Sequence, residues 1–362
     1  MKPRVLFVSR TRYRLPLDPQ LARKWDALEA ELDLRVLATG DGGDTRFHLV
    51  PASSPAFYLS LPVHVARELR AFRPAVIVAQ SPYEAGAALV GRALARVPAS
   101  VLLEVHGDWR TATTLYGSPA RRLLEPVSRL AANAAVRGAD AVRTVSPFTS
   151  SLVRGLGVEP AATFTTYYDA SAFTASPVVP VPENKRALFV GVLERYKNVH
   201  ALAAAWRRVA PRLPDAELHV VGKGRERAVV EALVRDLPGQ VRWDEWLPSD
   251  QVSAALDEAA LLVLPSFSEG LPRVAMEAFV RGRAVVGARA GGIPDIVEDG
   301  VSGLLVPPND PVALADALVR GLSEPGLAAS LGAGALASSE RWLQTPEQFA
   351  TRMRDLVDEL RR

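Results

Sequence analysis

Apolar residues in this chain come in short runs separated by longer stretches in which they recur every three or four positions. The runs at residues 5–8, 34–38, 75–79, 101–105 and 141–145 are short and mostly apolar, which predicts buried strands. Between them, Leu21, Trp25, Leu28 and Leu32 repeat at helical intervals, and residues 119–135 do so as well. Strand alternating with helix predicts a doubly wound parallel sheet. The proline-rich stretch Ser176-Pro-Val-Val-Pro-Val-Pro182 fits neither period and reads as an extended linker. The alternation restarts with runs at 187–190, 217–221, 261–264 and 284–286, and the last 18 positions, 345–362, read as a charged amphipathic helix.

Length agrees with two halves, because 362 residues exceed what one hydrophobic core usually serves. With 48% hydrophobic and 23% charged residues the chain is globular rather than disordered. No apolar run reaches the roughly 18 to 20 residues of a spanning helix, and the N-terminus enters a strand with no signal-peptide pattern. The expectation is a protein that is not secreted, cytoplasmic, with peripheral contact to the inner face of the membrane left open. Cysteine is absent, which excludes disulfides, thiolate metal sites and a cysteine nucleophile. None of the five histidines has His-Glu-x-x-His spacing, so no metal site is expected. A formal charge of +3 gives no argument for nucleic acid.

Three segments carry candidate chemistry. In Phe189-Val-Gly-Val-Leu-Glu-Arg-Tyr-Lys197 a strand ends at Gly191, and a lysine follows near the start of the next helix. A helix N-terminus beside an ammonium favours an anion such as diphosphate, while a glycine turn with a solvated lysine gives the same pattern. In Pro265-Ser-Phe-Ser-Glu269-Gly-Leu-Pro-Arg273-Val-Ala-Met-Glu277, two carboxylates flank a turn, Glu277 being expected about two turns into a helix. Loop amides there can hold phosphate oxygens while the carboxylates accept from hydroxyls, and two acids with separate partners are the alternative. The third, Gly291-Gly-Ile-Pro-Asp295-Ile-Val-Glu-Asp-Gly300-Val-Ser-Gly-Leu-Leu-Val, reads as a glycine loop, a short helix, a tight turn and a strand.

Taken together, these residues resemble the retaining glycosyltransferases of family GT4. The resemblance covers residues 188–318 most closely and includes that family's Glu-x7-Glu signature at Glu269 and Glu277. In the first half, Glu104-Val-His106-Gly-Asp108 is similar to the family's strand-end histidine, and Ala139-Asp-Ala-Val-Arg-Thr-Val-Ser146 to its interior strand. The resemblance implies the GT-B fold, two facing Rossmann-like doubly wound domains with an interdomain cleft. Residues 1–175 are then the acceptor-side domain, 176–183 the linker, 184–342 the nucleotide-sugar-binding domain, and 343–362 a helix crossing back to the first domain.

It also implies roles. Glu269, His106 and Lys197 would be catalytic, with Glu269 and His106 positioning the sugar and Lys197 neutralising the diphosphate. Glu277 would bind the ribose. Donor contacts would come from Gly191, Arg195, Gly270, Leu271 and Arg273, and base contacts from Gly222, Lys223, Glu245, Trp246 and Leu247. Arg10, Arg12, Trp109, Arg110 and Tyr116 are candidates for the acceptor side. No cofactor and no metal are expected, since lysine, loop amides and helix dipole take the role of a divalent ion. The partners implied are a nucleoside-diphosphate sugar, a UDP-sugar by default, and a carbohydrate, lipid-linked or small-molecule acceptor.

Two departures stand out. The arginine that usually follows the strand-end glycine in the family is Val192 here, with Arg195 and Arg273 as candidate substitutes. The glycine-rich turn after the first strand is replaced by Ser9-Arg-Thr-Arg-Tyr-Arg14. A noncatalytic sugar-nucleotide-binding protein and another GT-B enzyme, such as a sugar-nucleotide epimerase, stay open. A nicotinamide dehydrogenase is disfavoured, as no G-x-G-x-x-G follows the first strand.

Overall fold

The computed structural model describes residues 1–50, 54–111 and 125–362. The chain forms two compact units, Met1–Asp169 together with Gln344–Arg362, and Ala170–Leu343. Each is built on one all-parallel sheet, and the two are described in turn.

Unit 1 contains β1 (Arg4–Arg14), α1 (Pro19–Glu31), β2 (Asp33–Asp41), β3 (Phe47–Val50), α2 (Ser54–Phe72), β4 (Val76–Ala79), α3 (Pro82–Ala95), β5 (Ser100–Val105), α4 (Glu125–Gly138), β6 (Ala141–Thr144), α5 (Pro147–Arg154) and β7 (Ala162–Thr163). The sheet order is β3-β2-β1-β4-β5-β6-β7, with the direction of winding reversing between β1 and β4. Both faces are covered, which explains continuous rather than alternating apolar runs. Along β1, Leu6 and Val8 enter a core with α2, α3 and α4, while Val5 and Phe7 enter a second core with α1. The C-terminal helix Pro346–Glu359 completes that second core through Phe349, Ala350, Met353, Leu356 and Val357. Its start is fixed by a capping box between Thr345 and Gln348, with proline at its first turn. The same Asp/Ser/Thr-Pro device opens helices at Asp18-Pro19, Ser81-Pro82, Ser146-Pro147 and Asp310-Pro311.

One expectation is corrected here. Residues 9–14, read as a loop, continue β1: after an irregularity between Val8 and Arg12, Arg12, Tyr13 and Arg14 pair with Thr39, Gly40 and Asp41. Tyr13 supplies the reason, since its ring is buried against Trp25 and Phe47.

Unit 2 contains α6 (Ser171–Thr174), β8 (Arg186–Val190), α7 (Val199–Val209), β9 (Glu217–Val221), α8 (Arg227–Asp236), β10 (Val241–Asp244), α9 (Ser249–Glu258), β11 (Leu261–Leu264), α10 (Arg273–Val280), β12 (Ala284–Ala288), α11 (Ile293–Ile296), β13 (Gly303–Val306), α12 (Pro311–Ser323) and α13 (Leu327–Ser339). The order is β10-β9-β8-β11-β12-β13, with its reversal between β8 and β11. The proline-rich stretch is in neither helix nor strand, as its composition predicts. Two fully buried arginines hold it to unit 2. Arg281 donates to the carbonyls of Phe173, Ser176 and Pro177 and pairs with Asp257 at 2.7 Å. Arg283 donates to Val179, Pro180, Leu256 and Asp257 carbonyls at 2.8–3.2 Å. A polyproline segment has no ladder of its own, so its carbonyls need outside donors, and planar guanidinium groups supply them in pairs. No helix among the described residues is long and apolar enough to cross a membrane.

Candidate functional site

In an open α/β sheet, ligands sit beyond the carboxyl ends of the strands where the winding reverses. In unit 2 that point lies between β8 and β11, and the loops leaving these strands hold the best candidates. β8 runs into Gly191, an exposed Val192 and a 3-10 turn at Arg195–Lys197, capped by Asn198 in the left-handed conformation (φ 54°). β11 runs into Pro265-Ser-Phe-Ser-Glu269. The loops are tied together where the Phe267 amide donates to the Tyr196 carbonyl at 2.8 Å. Lys197 Nζ then donates to Glu269 Oε1 at 2.7 Å, each side chain being only 11% exposed. Residues 72 apart in sequence thus form one ion pair at the switch point. A Cβ on Gly191 would come within 3.3 Å of Lys197 Cε, so glycine leaves room for the lysine to lie back along the loop.

Glu277 is one turn into α10, not two, because the helix begins at Arg273. That start puts Arg273 at i−4, and its Nε donates to Glu277 Oε1 at 2.8 Å. Burial pushes the Glu277 carboxyl above the usual carboxylate range, with Arg273 and Lys197 opposing. Of the two candidate substitutes for the missing arginine, Arg273 is therefore engaged with Glu277, while Arg195 is exposed on the β8 loop. Burial, with Glu269 and Glu194 adding to it, pushes the Tyr196 phenol up to about 12. Two buried polar atoms in these loops have no hydrogen-bond partner, Ser266 Oγ and Asn198 Nδ2. Both stand beside the Lys197–Glu269 pair in sequence, and both can bond to a ligand.

The third segment has a structural job. Gly291, at φ 57°, and Gly292 pass so close to the 269–270 backbone that a Cβ on either would lie within 2.5 Å of a carbonyl oxygen there, and the Gly292 amide donates to the Glu269 carbonyl at 2.8 Å. The paired glycines thus set where Glu269, Gly270 and Leu271 sit. The base-side candidates line the next strand ends: Gly222 and Lys223 follow β9, and Glu245, Trp246 and Leu247 follow β10. Gly222 bonds through its amide to Asp244 and through its carbonyl to the Trp243 indole, and Glu245 pairs with Arg227 at 3.3 Å. Trp246 is 67% exposed.

In unit 1, His106 follows β5 with its ring part-exposed. Its Nε2 lies 3.4 Å from Glu104 Oε2 and its Nδ1 3.4 Å from Thr166 Oγ1. Behind both partners is Arg143, fully buried, which pairs with Glu104 and donates to Thr166 Oγ1 at 3.3 Å and to the Phe164 and Thr165 carbonyls. Burial alone would raise the Glu104 pKa, but Arg143, His106 and Lys24 outweigh it and hold the carboxyl down at about 2. Arg143 and Thr166 were not among the residues picked from sequence. The arginine in an otherwise apolar β6 run was the available signal.

The acceptor-side candidates separate. Arg10 is exposed, with its guanidinium 6.0 Å from the centre of the Tyr58 ring. Arg12 is paired with Asp41 at 2.7 Å, and Arg110 with Asp108 at 2.8 Å. Trp109 is a core residue, buried and bonded through its indole to Asn133 Oδ1, so it is not offered to a ligand. Tyr116 lies outside the described residues.

Residues 184–324 match the family described as "Glycosyl transferases group 1", and residues 19–168 match "Glycosyl transferase 4-like domain". D-inositol 3-phosphate glycosyltransferase of Corynebacterium diphtheriae is 33% identical over 171 residues, 44% of this chain and 40% of the relative. The Thermobifida fusca protein of the same name is 30% identical over 236 residues, 61% of this chain and 54% of the relative. The chain thus spans about half the length of such curated relatives, or less. Among solved structures, HepE of Anabaena in complex with UDP superposes with a TM-score of 0.73 at 18% identity, covering 99% of this chain and 100% of that one. Sucrose-phosphate synthase of Thermosynechococcus elongatus gives 0.74 at 20% identity, covering 99% of each. The two domain matches, which together run from residue 19 to 324, and the two wound parallel sheets agree: the chain belongs to the group 1, GT4-like glycosyltransferases and has the GT-B fold of two Rossmann-like domains.

Proposed function

We propose that this chain is a retaining, metal-independent glycosyltransferase that moves a sugar from a nucleoside-diphosphate donor to a hydroxyl of a carbohydrate, lipid-linked or small-molecule acceptor. The observation that carries the reading is the buried Lys197–Glu269 pair at the strand switch of unit 2, with Glu277 one turn into the helix that follows Glu269. The Lys197 ammonium, loop amides 270–271 and the α7 N-terminus receive the diphosphate, Glu277 accepts from the ribose hydroxyls, and Glu269 and His106 orient the sugar. In the reaction the bond from the anomeric carbon to the diphosphate oxygen breaks, and the electron pair leaves with the diphosphate. The acceptor oxygen bonds to that carbon from the same face, and its proton passes to a diphosphate oxygen. Charge grows on the diphosphate as it leaves, so cationic and amide donors fixed there stabilise the transition state more than the ground state. UDP is the default nucleotide; the HepE neighbour was solved with UDP and with UDP-glucose.

The test is to incubate the protein with UDP-sugars and candidate acceptors, following UDP release and the anomeric configuration of the product by NMR, with and without EDTA. Release that survives EDTA and gives a retained anomer supports the proposal. Inversion, or release that EDTA abolishes, refutes the corresponding part. A second reading, donor binding without turnover, draws on the exposed Val192, where the family has an arginine. Tight nucleotide binding with no release from any donor would favour it.

A further inference from the structure

Residues 164–169 run from β7 to the point where the chain leaves unit 1, and Gln344 is the residue at which it returns. Gln344 directly precedes Thr345, whose capping box starts the C-terminal helix, so the turn that carries it is fixed. Its Nε2 donates to the Thr165 carbonyl at 2.5 Å and to Thr165 Oγ1 at 2.8 Å. A carbonyl only accepts, so the amide can face Thr165 in one orientation alone. That orientation leaves Gln344 Oε1 buried with no hydrogen-bond partner among the described residues. The Thr165 carbonyl also accepts from Arg143 Nη2 at 3.1 Å and would stay paired without Gln344. A glutamine that costs a buried orphan oxygen and rescues no carbonyl needs a reason beyond stability.

The next residue supplies one. Thr166 Oγ1 accepts from Arg143 Nη2 at 3.3 Å and lies 3.4 Å from His106 Nδ1. A guanidinium has no acceptor, so the hydroxyl accepts on that side and its proton is left for the imidazole. On the other side of the ring, Glu104 is ionised at neutral pH and can only accept from Nε2, 3.4 Å away. Both contacts require the same neutral tautomer, with the proton on Nε2 and Nδ1 bare.

We propose that Thr166 and Gln344 are positioning residues for His106: Thr166 holds the imidazole in the Nε2–H tautomer, and Gln344, through Thr165, holds Thr166 where it can do so. The inference rests on the reading of His106 as a residue that orients the donor sugar, and it makes that residue a hydrogen-bond donor. With Nδ1 committed to Thr166, the long bond to Glu104 leaves the Nε2–H able to be shared with a sugar oxygen. A ring that exchanged tautomers would present a bare nitrogen to that oxygen part of the time. The loss would fall on turnover rather than on donor binding, which the nucleotide half dominates.

The experiment is long-range proton–nitrogen NMR of the full chain, isotope-labelled at its histidine ring nitrogens and free of donor, at mildly alkaline pH. His106→Gln identifies the His106 signals, and these report the tautomer directly. Wild type and Thr166→Ser should show the proton on Nε2, whereas Thr166→Val and Gln344→Leu should show two tautomers in exchange. Gln344→Leu removes the orphan oxygen and leaves the Thr165 carbonyl to Arg143, so it should unfold near the wild-type temperature while the His106 signals move. In a UDP-sugar assay, Thr166→Val should lower kcat about tenfold with donor KM within about twofold, and Thr166→Ser should restore kcat. Each of three results overturns the proposal: an Nδ1–H tautomer in wild type, His106 signals unmoved in folded Thr166→Val and Gln344→Leu, or a changed KM with kcat intact. Absence of turnover in wild type with every donor would count against the glycosyltransferase reading; the spectra, which need no donor, decide the positioning by themselves.

Discussion

The Lys197–Glu269 pair gives a prediction that separates stability from binding. At roughly 4 Å between charge centres and an effective dielectric near 20, the pair gains about 4 kcal/mol gross, most of it offset by desolvating two groups. Both side chains are only 11% exposed, so removing one partner strands the other. Lys197→Met should therefore destabilise the nucleotide-free protein by about 3 kcal/mol, and adding Glu269→Gln should restore about half of that. Urea titrations of wild type, both singles and the double close the cycle, and because Glu269→Gln alone also strands a buried charge, the expected coupling exceeds about 1.5 kcal/mol. Binding moves differently. Bare UDP has no sugar for Glu269 to hold and competes with its carboxylate for Lys197. Glu269→Gln should thus bind UDP up to about tenfold more tightly while turning over more slowly. Additive single effects, or weaker UDP binding in Glu269→Gln, would refute the reasoning.

Other expectations rest on single features. Glu277 is raised by burial, so its ionised form costs stability that is absent at low pH and grows as pH rises through its folded pKa. Glu277→Gln should raise the thermal midpoint at neutral pH yet weaken UDP about 10- to 100-fold; a lowered midpoint with unchanged affinity contradicts both halves. Glu104 is depressed to about 2, so its contribution is present above the ordinary glutamate range and lost as pH falls from there towards 2. Glu104→Gln should flatten that acid limb in unfolding scans. Arg143→Lys keeps the charge but not the fork that reaches both Glu104 and Thr166; it should shift the His106 imidazole resonances and lower kcat about tenfold with little change in donor KM. Unmoved His106 signals would deny Arg143 any part in placing that ring. Arg283→Met should cost about 3–5 kcal/mol by leaving linker carbonyls unpaired, and a loss under 1 kcal/mol would show the linker to be held by other means.

The wound sheets were legible because each β8 or β11 residue needs cover on both faces, which writes a continuous apolar run. Strands at sheet edges were not. β7 has only two residues, and β3 (Phe-His-Leu-Val) and β10 (Val-Arg-Trp-Asp) break their apolar positions with polar ones, so no continuous apolar run marks them. Residues 9–14 misled because glycine and arginine rules describe local preference, whereas Tyr13 is held extended by packing against Trp25 and Phe47. At the site, Lys197, Glu269 and Glu277 were legible through the motif segments in which they stand and the family that those segments resemble. Their pairing was not legible, since sequence carries no distance between loops 72 residues apart. Nor was the work of Arg281 and Arg283: basic residues in a strand approach look solvated until the carbonyls of a distant linker are found against them.

The most direct test of the account is a calorimetric titration of the full chain with UDP, GDP and ADP, repeated on Lys197→Ala and Glu277→Ala. The account predicts that one nucleotide, UDP by default, binds and that each variant weakens it at least about tenfold. No binding by any of the three, or affinity unchanged in both variants, would contradict the assignment of the donor site to the β8 and β11 loops of unit 2.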